Sequence, residues 1–131
     1  MNAAAEEIKQ MNKPRHFLTQ LDLAPLELRQ IINRATELKA MRDRGEDYRP
    51  FVGKTLAMIF AKPSARTRIS FETGFFLLGG HALYLGPNDI QIGKREAIKD
   101  IAQVISRYND MIMARLFAHA HIIELADHAT V

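Results

Sequence analysis

Lys54-Thr55-Leu56-Ala57-Met58-Ile59-Phe60 runs directly into Ala61-Lys62-Pro63-Ser64-Ala65-Arg66-Thr67-Arg68, and the junction between these stretches decides the fold. The first is a short apolar run without polar alternation, the pattern of a strand covered on both faces and hence of a parallel sheet. The second brings two hydroxyls and two guanidinium groups to the mouth of a helix expected over Thr67 to Leu78, ended by Gly79-Gly80.

The same order repeats downstream. A second strand fits His81 to Leu85 before the Gly86-Pro87-Asn88-Asp89 loop, and Ile98, Ile101, Ala102 and Ile105 mark a third helix. Met111-Ile112-Met113-Ala114 reads as a third strand and Ile122 to His128 as a fourth helix. Upstream, Leu28, Ile31, Ile32, Ala35 and Leu38 stand at helical spacing between Leu26 and Arg42, with Arg29, Arg34, Glu37 and Lys39 between them, which predicts an amphipathic helix. Pro25 suits its first position and Ala24 is a poor cap. A polar turn from Asp43 to Pro50 leads to the first strand.

Strand and helix therefore alternate, which predicts an α/β fold: a three-layer open parallel sheet with helices on both faces, joined by right-handed crossovers. Ala129-Thr130-Val131 reads as the entrance to a further strand, so the sheet is expected to be incomplete at its C-terminal side. Residues 1–131 read as one domain, without internal repeats or low-complexity tracts.

Composition narrows the function classes. Hydrophobic residues make up 47% and charged residues 25%, an ordinary globular balance that excludes disorder. There is no cysteine, so neither a disulfide framework nor a thiolate metal site can form. No apolar run is long enough to span a bilayer and Met1 to Gln10 is polar rather than signal-like, so the expectation is a soluble, cytoplasmic protein without a membrane partner. The net charge of +3 suits an anionic partner. The basic residues are scattered without aromatic interleaving, which favours a small phosphate over nucleic acid. His119, His121 and His128 have no supporting metal-ligand motif and are expected on the surface. The six methionines and Phe75-Phe76 read as core filling, and no glycine-rich dinucleotide fingerprint is present.

In an open parallel sheet, ligands bind beyond the carboxyl ends of the strands. The Ala61 to Arg68 loop sits there. Amides of the first helical turn carry partial positive charge, Ser64 and Thr67 can donate hydroxyl hydrogens, and Arg66 can pair bidentately with phosphate. On the residues alone, a dianion site and a plain Ser64 helix cap with solvated arginines both remain open.

Phe60-x-Lys62-Pro63-Ser64-x-Arg66-Thr67-Arg68-x-Ser70-Phe71-Glu72 resembles the phosphate-loop signature of the aspartate and ornithine carbamoyltransferases. The family usually carries threonine where this chain has Ala65; acting through its backbone amide, Ala65 would still serve. The resemblance implies that the chain is a carbamoyl-phosphate-binding domain, with catalytic roles for Arg66, Thr67 and Arg115. Arg66 would hold the phosphate and the departing oxygen, Ser64 and Thr67 the phosphate, and Thr67 with Arg115 the carbamoyl oxygen. Arg68 would join them, although its spacing from Glu72 also allows an intrahelical ion pair.

The Gln91-x-Gly93-Lys94-Arg95-Glu96 stretch resembles the ornithine branch and implies a site shared across an interface of a homotrimer or higher homo-oligomer. Read in isolation, Gln91 and Lys94 are equally ordinary exposed loop residues, and an arginine at a strand end is ordinarily solvated. The implied reaction is transfer of a carbamoyl group from carbamoyl phosphate to L-ornithine, giving citrulline and phosphate with no cofactor and no catalytic metal. Ornithine would bind through a second domain, and the His-Pro-x-Gln segment that the family uses is expected beyond these residues. On that ground the chain alone is expected to be inactive. An acceptor such as aspartate, putrescine or N-acetylornithine, or a non-catalytic anion-binding or assembly role, is the alternative.

Overall fold

The structure, a computed structural model, describes residues 14–92 and 96–131. Met1 to Gln10 and the Gly93-Lys94-Arg95 part of the Gln91 loop lie outside them. Four α-helices, a short 3-10 turn (Gln20–Asp22) and three strands are present among the described residues: α1 (Pro25–Asp43), β1 (Thr55–Phe60), α2 (Ala65–Leu77), β2 (His81–Leu85), α3 (Ile98–Tyr108), β3 (Met111–Arg115) and α4 (His119–His128). The strands form one sheet in the order β2-β1-β3, all parallel.

Strand alternation divides the central strand between two cores. Leu56, Met58 and Phe60 face α2 and pack with Phe75, Tyr84, Met111 and Met113. Ala57 and Ile59 face the other way, onto Ile98, Ile101, Ala102 and Ile105 of α3 and Leu125 of α4. Residues 56 to 60 are all buried, as expected of a strand with helices on both sides. Asp110 pins the entrance of β1: its Oδ2 accepts from Thr55 N at 2.8 Å and its Oδ1 from Lys54 Nζ at 3.0 Å. The Thr55 amide, with Lys54, holds the Asp110 carboxyl below the usual carboxylate range.

The turn from α2 to β2 explains Gly79-Gly80. Gly80 N donates to Phe75 O and Gly79 N to Phe76 O, both at 2.9 Å, closing a Schellman motif with Gly79 at φ 95°. A Cβ on Gly80 would lie 2.2 Å from the Phe75 ring, so the glycine lets that ring seat against the sheet.

Several expectations need correction at their edges. Helix α2 starts at Ala65 and α4 at His119, both earlier than their apolar periodicity, because first-turn residues face solvent and leave no apolar mark. Helix α1 forms, with Glu27 Oε2 accepting from Ala24 N at 2.8 Å in place of a side-chain cap on Ala24. None of its residues is buried, and Ile31 and Ile32 stay more than half exposed. Phe75 fills the core as expected, but Phe76 is 68% exposed. His119 and His128 are exposed and His121 is half-buried. Residues 129–131 join no strand; Ala129 N donates to Leu125 O and Thr130 N to Ser106 Oγ, which extends the end of α4 along α3.

Candidate anion-binding site at the sheet edge

The carboxyl ends of β1 and β3 meet in register, Phe60 beside Arg115, and Ala61 N donates to Arg115 O at 2.9 Å. From this point the β1 chain turns through Lys62 and Pro63 into α2. Ser64 is the N-cap in extended conformation at φ −158°, and its Oγ accepts from Thr67 N at 3.5 Å while donating to Thr67 Oγ1 at 3.0 Å. The two hydroxyls therefore sit together over the first turn of the helix. Such a mouth, with free amides and the positive end of the helix dipole, favours an anion.

Arg115 comes to this edge from the next strand. Alternation along β3 places it with Met111 and Met113, on the face covered by α2 rather than that of α3 and α4. Its Nε is shielded from solvent and has no hydrogen-bond partner among the described residues. A buried guanidinium donor without an acceptor is costly, so this Nε is open to a partner at the sheet edge.

The other predicted positions divide into two groups. Ala65 and Arg66 are exposed at the start of α2, and no ion pair among the described residues engages Arg66. Arg68 does take the intrahelical pair, Nε to Glu72 Oε2 at 2.9 Å, and its guanidinium lies 3.9 Å from the centroid of the Tyr84 ring. Gln91 is half-buried in the loop between β2 and α3, following a turn in which Gly86 N donates to Asp89 Oδ2 at 2.8 Å. Its side chain makes no hydrogen bond to residues 64–68 among the described residues. The sheet thus brings Ser64, Ala65, Arg66, Thr67 and Arg115 to one edge and turns Arg68 toward β2, with Gln91 unbonded to them.

Phe117, at this edge, carried no sequence signal, and Lys62 appeared only within the loop signature without a role of its own. Lys62 Nζ stands 5.4 Å from the centroid of the Phe117 ring, across the gap between the loops that follow β1 and β3. Among the described residues no group of three or more His, Asp or Glu side chains could hold a metal ion, and no helix is long and apolar enough to cross a membrane.

Comparison with known proteins points one way. Residues 15–131 match the family model described as the aspartate/ornithine carbamoyltransferase, carbamoyl-P binding domain. The chloroplastic ornithine carbamoyltransferase of Pisum sativum is 64% identical over 102 residues, 77% of this chain and 27% of that protein. The ornithine carbamoyltransferase of a Psychrobacter species is 55% identical over 117 residues, 89% of this chain and 38% of that protein. Among solved structures, the Pyrococcus furiosus ornithine carbamoyltransferase superposes with TM-score 0.87 at 47% identity, covering 89% of this chain and 37% of that one. The catalytic subunit of M. jannaschii aspartate transcarbamoylase gives 0.81 at 28% identity, covering 90% of this chain and 39% of that one. The chain thus spans only a minor part of the length of the relatives it matches. With a parallel sheet, a serine-capped helix mouth beyond β1 and a match over nearly all described residues, the chain belongs to the aspartate/ornithine carbamoyltransferase family, as its carbamoyl-phosphate-binding domain.

Proposed function

We propose that residues 1–131 form a single domain that binds carbamoyl phosphate, and that the polypeptide carrying it transfers the carbamoyl group to L-ornithine. The observation that carries this proposal is the shared edge: Ser64 and Thr67 at the mouth of α2, in the same sheet register as an Arg115 whose Nε lacks an acceptor. In this reading the phosphate takes the hydroxyls of Ser64 and Thr67, the first-turn amides from Ala65 onward, and the guanidinium of Arg66. Arg68 adds positive charge from the β2 side, and Arg115 and Thr67 meet the carbamoyl oxygen.

The chemistry needs little beyond position and charge. The ornithine side-chain amine attacks the carbamoyl carbon, the carbonyl oxygen becomes negative, and the bond from carbon to the phosphate oxygen then breaks. Arg115 and Thr67 stabilise the first charge and Arg66 the departing phosphate. The neutral amine's surplus proton passes to the departing phosphate as citrulline forms, and no covalent enzyme intermediate or metal is required. Ornithine would be held by a further part of the polypeptide.

Ornithine is preferred over aspartate as acceptor because identity to the ornithine enzyme structure is 47% against 28% for the aspartate one. Gln91 supports the same branch. We also propose a homotrimer or higher homo-oligomer, with Gln91 serving a neighbouring site. Among the described residues β2 pairs with β1 alone, and Ile69, Phe76 and Leu83 beside it are exposed. A cytoplasmic location completes the proposal, and imaging of the tagged full-length protein tests it against the plastid location of the pea relative.

Titration of the 131-residue chain with carbamoyl phosphate, followed by amide shifts of Ala65 to Arg68, is the direct test. Saturable shifts there support the site, and their absence with a folded spectrum overturns it. Citrulline should form only when the longer polypeptide is supplied with ornithine. Turnover with aspartate, putrescine or N-acetylornithine instead would move the assignment to another acceptor.

A further inference from the structure

We infer that Lys62 and Phe117 form a strap across the mouth of the site, a cation seated on an aromatic face that sets the spacing between the two ligand-bearing loops. Both are positioning residues acting on Ser64 and Arg115; the inference deepens the carbamoyl-phosphate reading and takes the identity of the ligand from it.

The last backbone tie between β1 and β3 is Ala61 N to Arg115 O at 2.9 Å. Beyond it the two chains part, one through Lys62, Pro63 and Ser64 into α2, the other through Leu116, Phe117 and Ala118 into α4. Lys62 Nζ reaches back across this gap to within 5.4 Å of the Phe117 ring centroid. Lys62 stands two residues before Ser64, and Phe117 two residues after Arg115. Closing the gap between these two side chains therefore sets the separation of the hydroxyl cap and the guanidinium. Pro63 stiffens the link from Lys62 to Ser64, since its φ is locked.

Neither residue is explained by packing. Phe117 is 74% exposed and belongs to neither core cluster, and no ion pair among the described residues engages Lys62. The choice of an aromatic partner also makes electrostatic sense. A carboxylate at position 117 would hold the lysine but would set a full negative charge beside a dianion. A ring holds the cation through its quadrupole and adds no net charge, so the Lys62 charge still contributes to the field at the helix mouth.

Two measurements on the 131-residue chain test this. In the free chain the Lys62 side-chain methylene protons should be shifted upfield by the ring, and the shift should vanish in Phe117→Leu. The Arg115 Hε signal should exchange faster in Phe117→Leu than in wild type. Carbamoyl phosphate affinity should then fall roughly 2- to 5-fold in Phe117→Leu, the range for an exposed cation–π contact. It should fall further in Lys62→Met, which also removes charge, and stay near wild type in Phe117→Tyr and Lys62→Arg. The double variant should lose less than the product of the single losses. A wild-type chain without the ring shift, or a Phe117→Leu chain with unchanged affinity and unchanged Arg115 exchange, overturns the strap. Failure of wild type to bind carbamoyl phosphate instead overturns the proposed ligand, while the ring shift and the Arg115 exchange still decide the strap.

Discussion

Replacing Arg115 by methionine should stabilise the free domain while weakening its hold on carbamoyl phosphate. The Nε of Arg115 is shielded and has no acceptor among the described residues, although the residue as a whole is only half-buried. An unsatisfied buried donor costs roughly 1–3 kcal/mol, more when charged, and the half-buried setting argues for the lower end. Methionine keeps most of the aliphatic length against Met113 and Phe60 and removes the donor, so the free chain should gain about 1 kcal/mol. For a domain of this size that is a rise in Tm of roughly 3–6 °C. A hydrogen bond to a charged group contributes about 1.5–3 kcal/mol, so loss of Arg115 should raise the Kd for carbamoyl phosphate roughly 10- to 150-fold. Thermal melts without ligand and calorimetric titration with it measure the two effects separately. A Tm lowered by several degrees would make Arg115 a structural residue and refute the reasoning. Unchanged affinity would remove it from the site.

Other consequences follow from neighbouring contacts. Ser64→Ala removes the cap on Thr67 N and the bond to Thr67 Oγ1, and should lower stability by about 1 kcal/mol, read as a lower urea midpoint at unchanged m. Arg66→Ala should abolish phosphate-dependent shifts at the helix mouth, whereas Lys39→Ala, on exposed α1, should leave them unchanged; equal losses would mean that only diffuse charge attracts the ligand. Ala65→Thr should leave carbamoyl phosphate affinity within about twofold if that position works through its amide, and a tenfold gain would show that the absent hydroxyl matters. The bidentate contact with Arg15, helped by Ala24 N, draws the Glu27 carboxyl down to about 2. The stability this gives is fully present above the ordinary carboxylate value and is lost as pH falls from there toward about 2. The protection factors of amides at the start of α1 should fall across that window in wild type and stay constant with pH in Glu27→Gln.

The order of elements and the capped helix mouth beyond β1 were legible in the chain because both depend on local signals. The unbroken apolar run Leu56 to Phe60 is what a doubly covered strand requires, and its five residues are all buried. Gly79-Gly80 marks the end of α2 because Gly79 takes a positive φ and a Cβ on Gly80 would strike the Phe75 ring. The Ser64 to Arg68 motif announces a helix mouth suited to an anion because capping and charge are carried by the residues themselves. Helix starts were misplaced where solvent-facing first turns carry no periodic mark, as at His119.

What the tertiary structure decided depends on which strands became neighbours. The order β2-β1-β3 sets Arg115 beside Phe60, more than fifty positions away along the chain, on the face of α2. No local pattern contains that pairing, because β3 could equally have added to the other side of β2. The same adjacency draws Lys62 to Phe117, turns Arg68 onto Tyr84 and leaves Phe76 outside the core beside the buried Phe75. Residue type and spacing specify what a segment can do alone; which groups converge on one edge is specified by strand order, set by burial summed over the whole sheet.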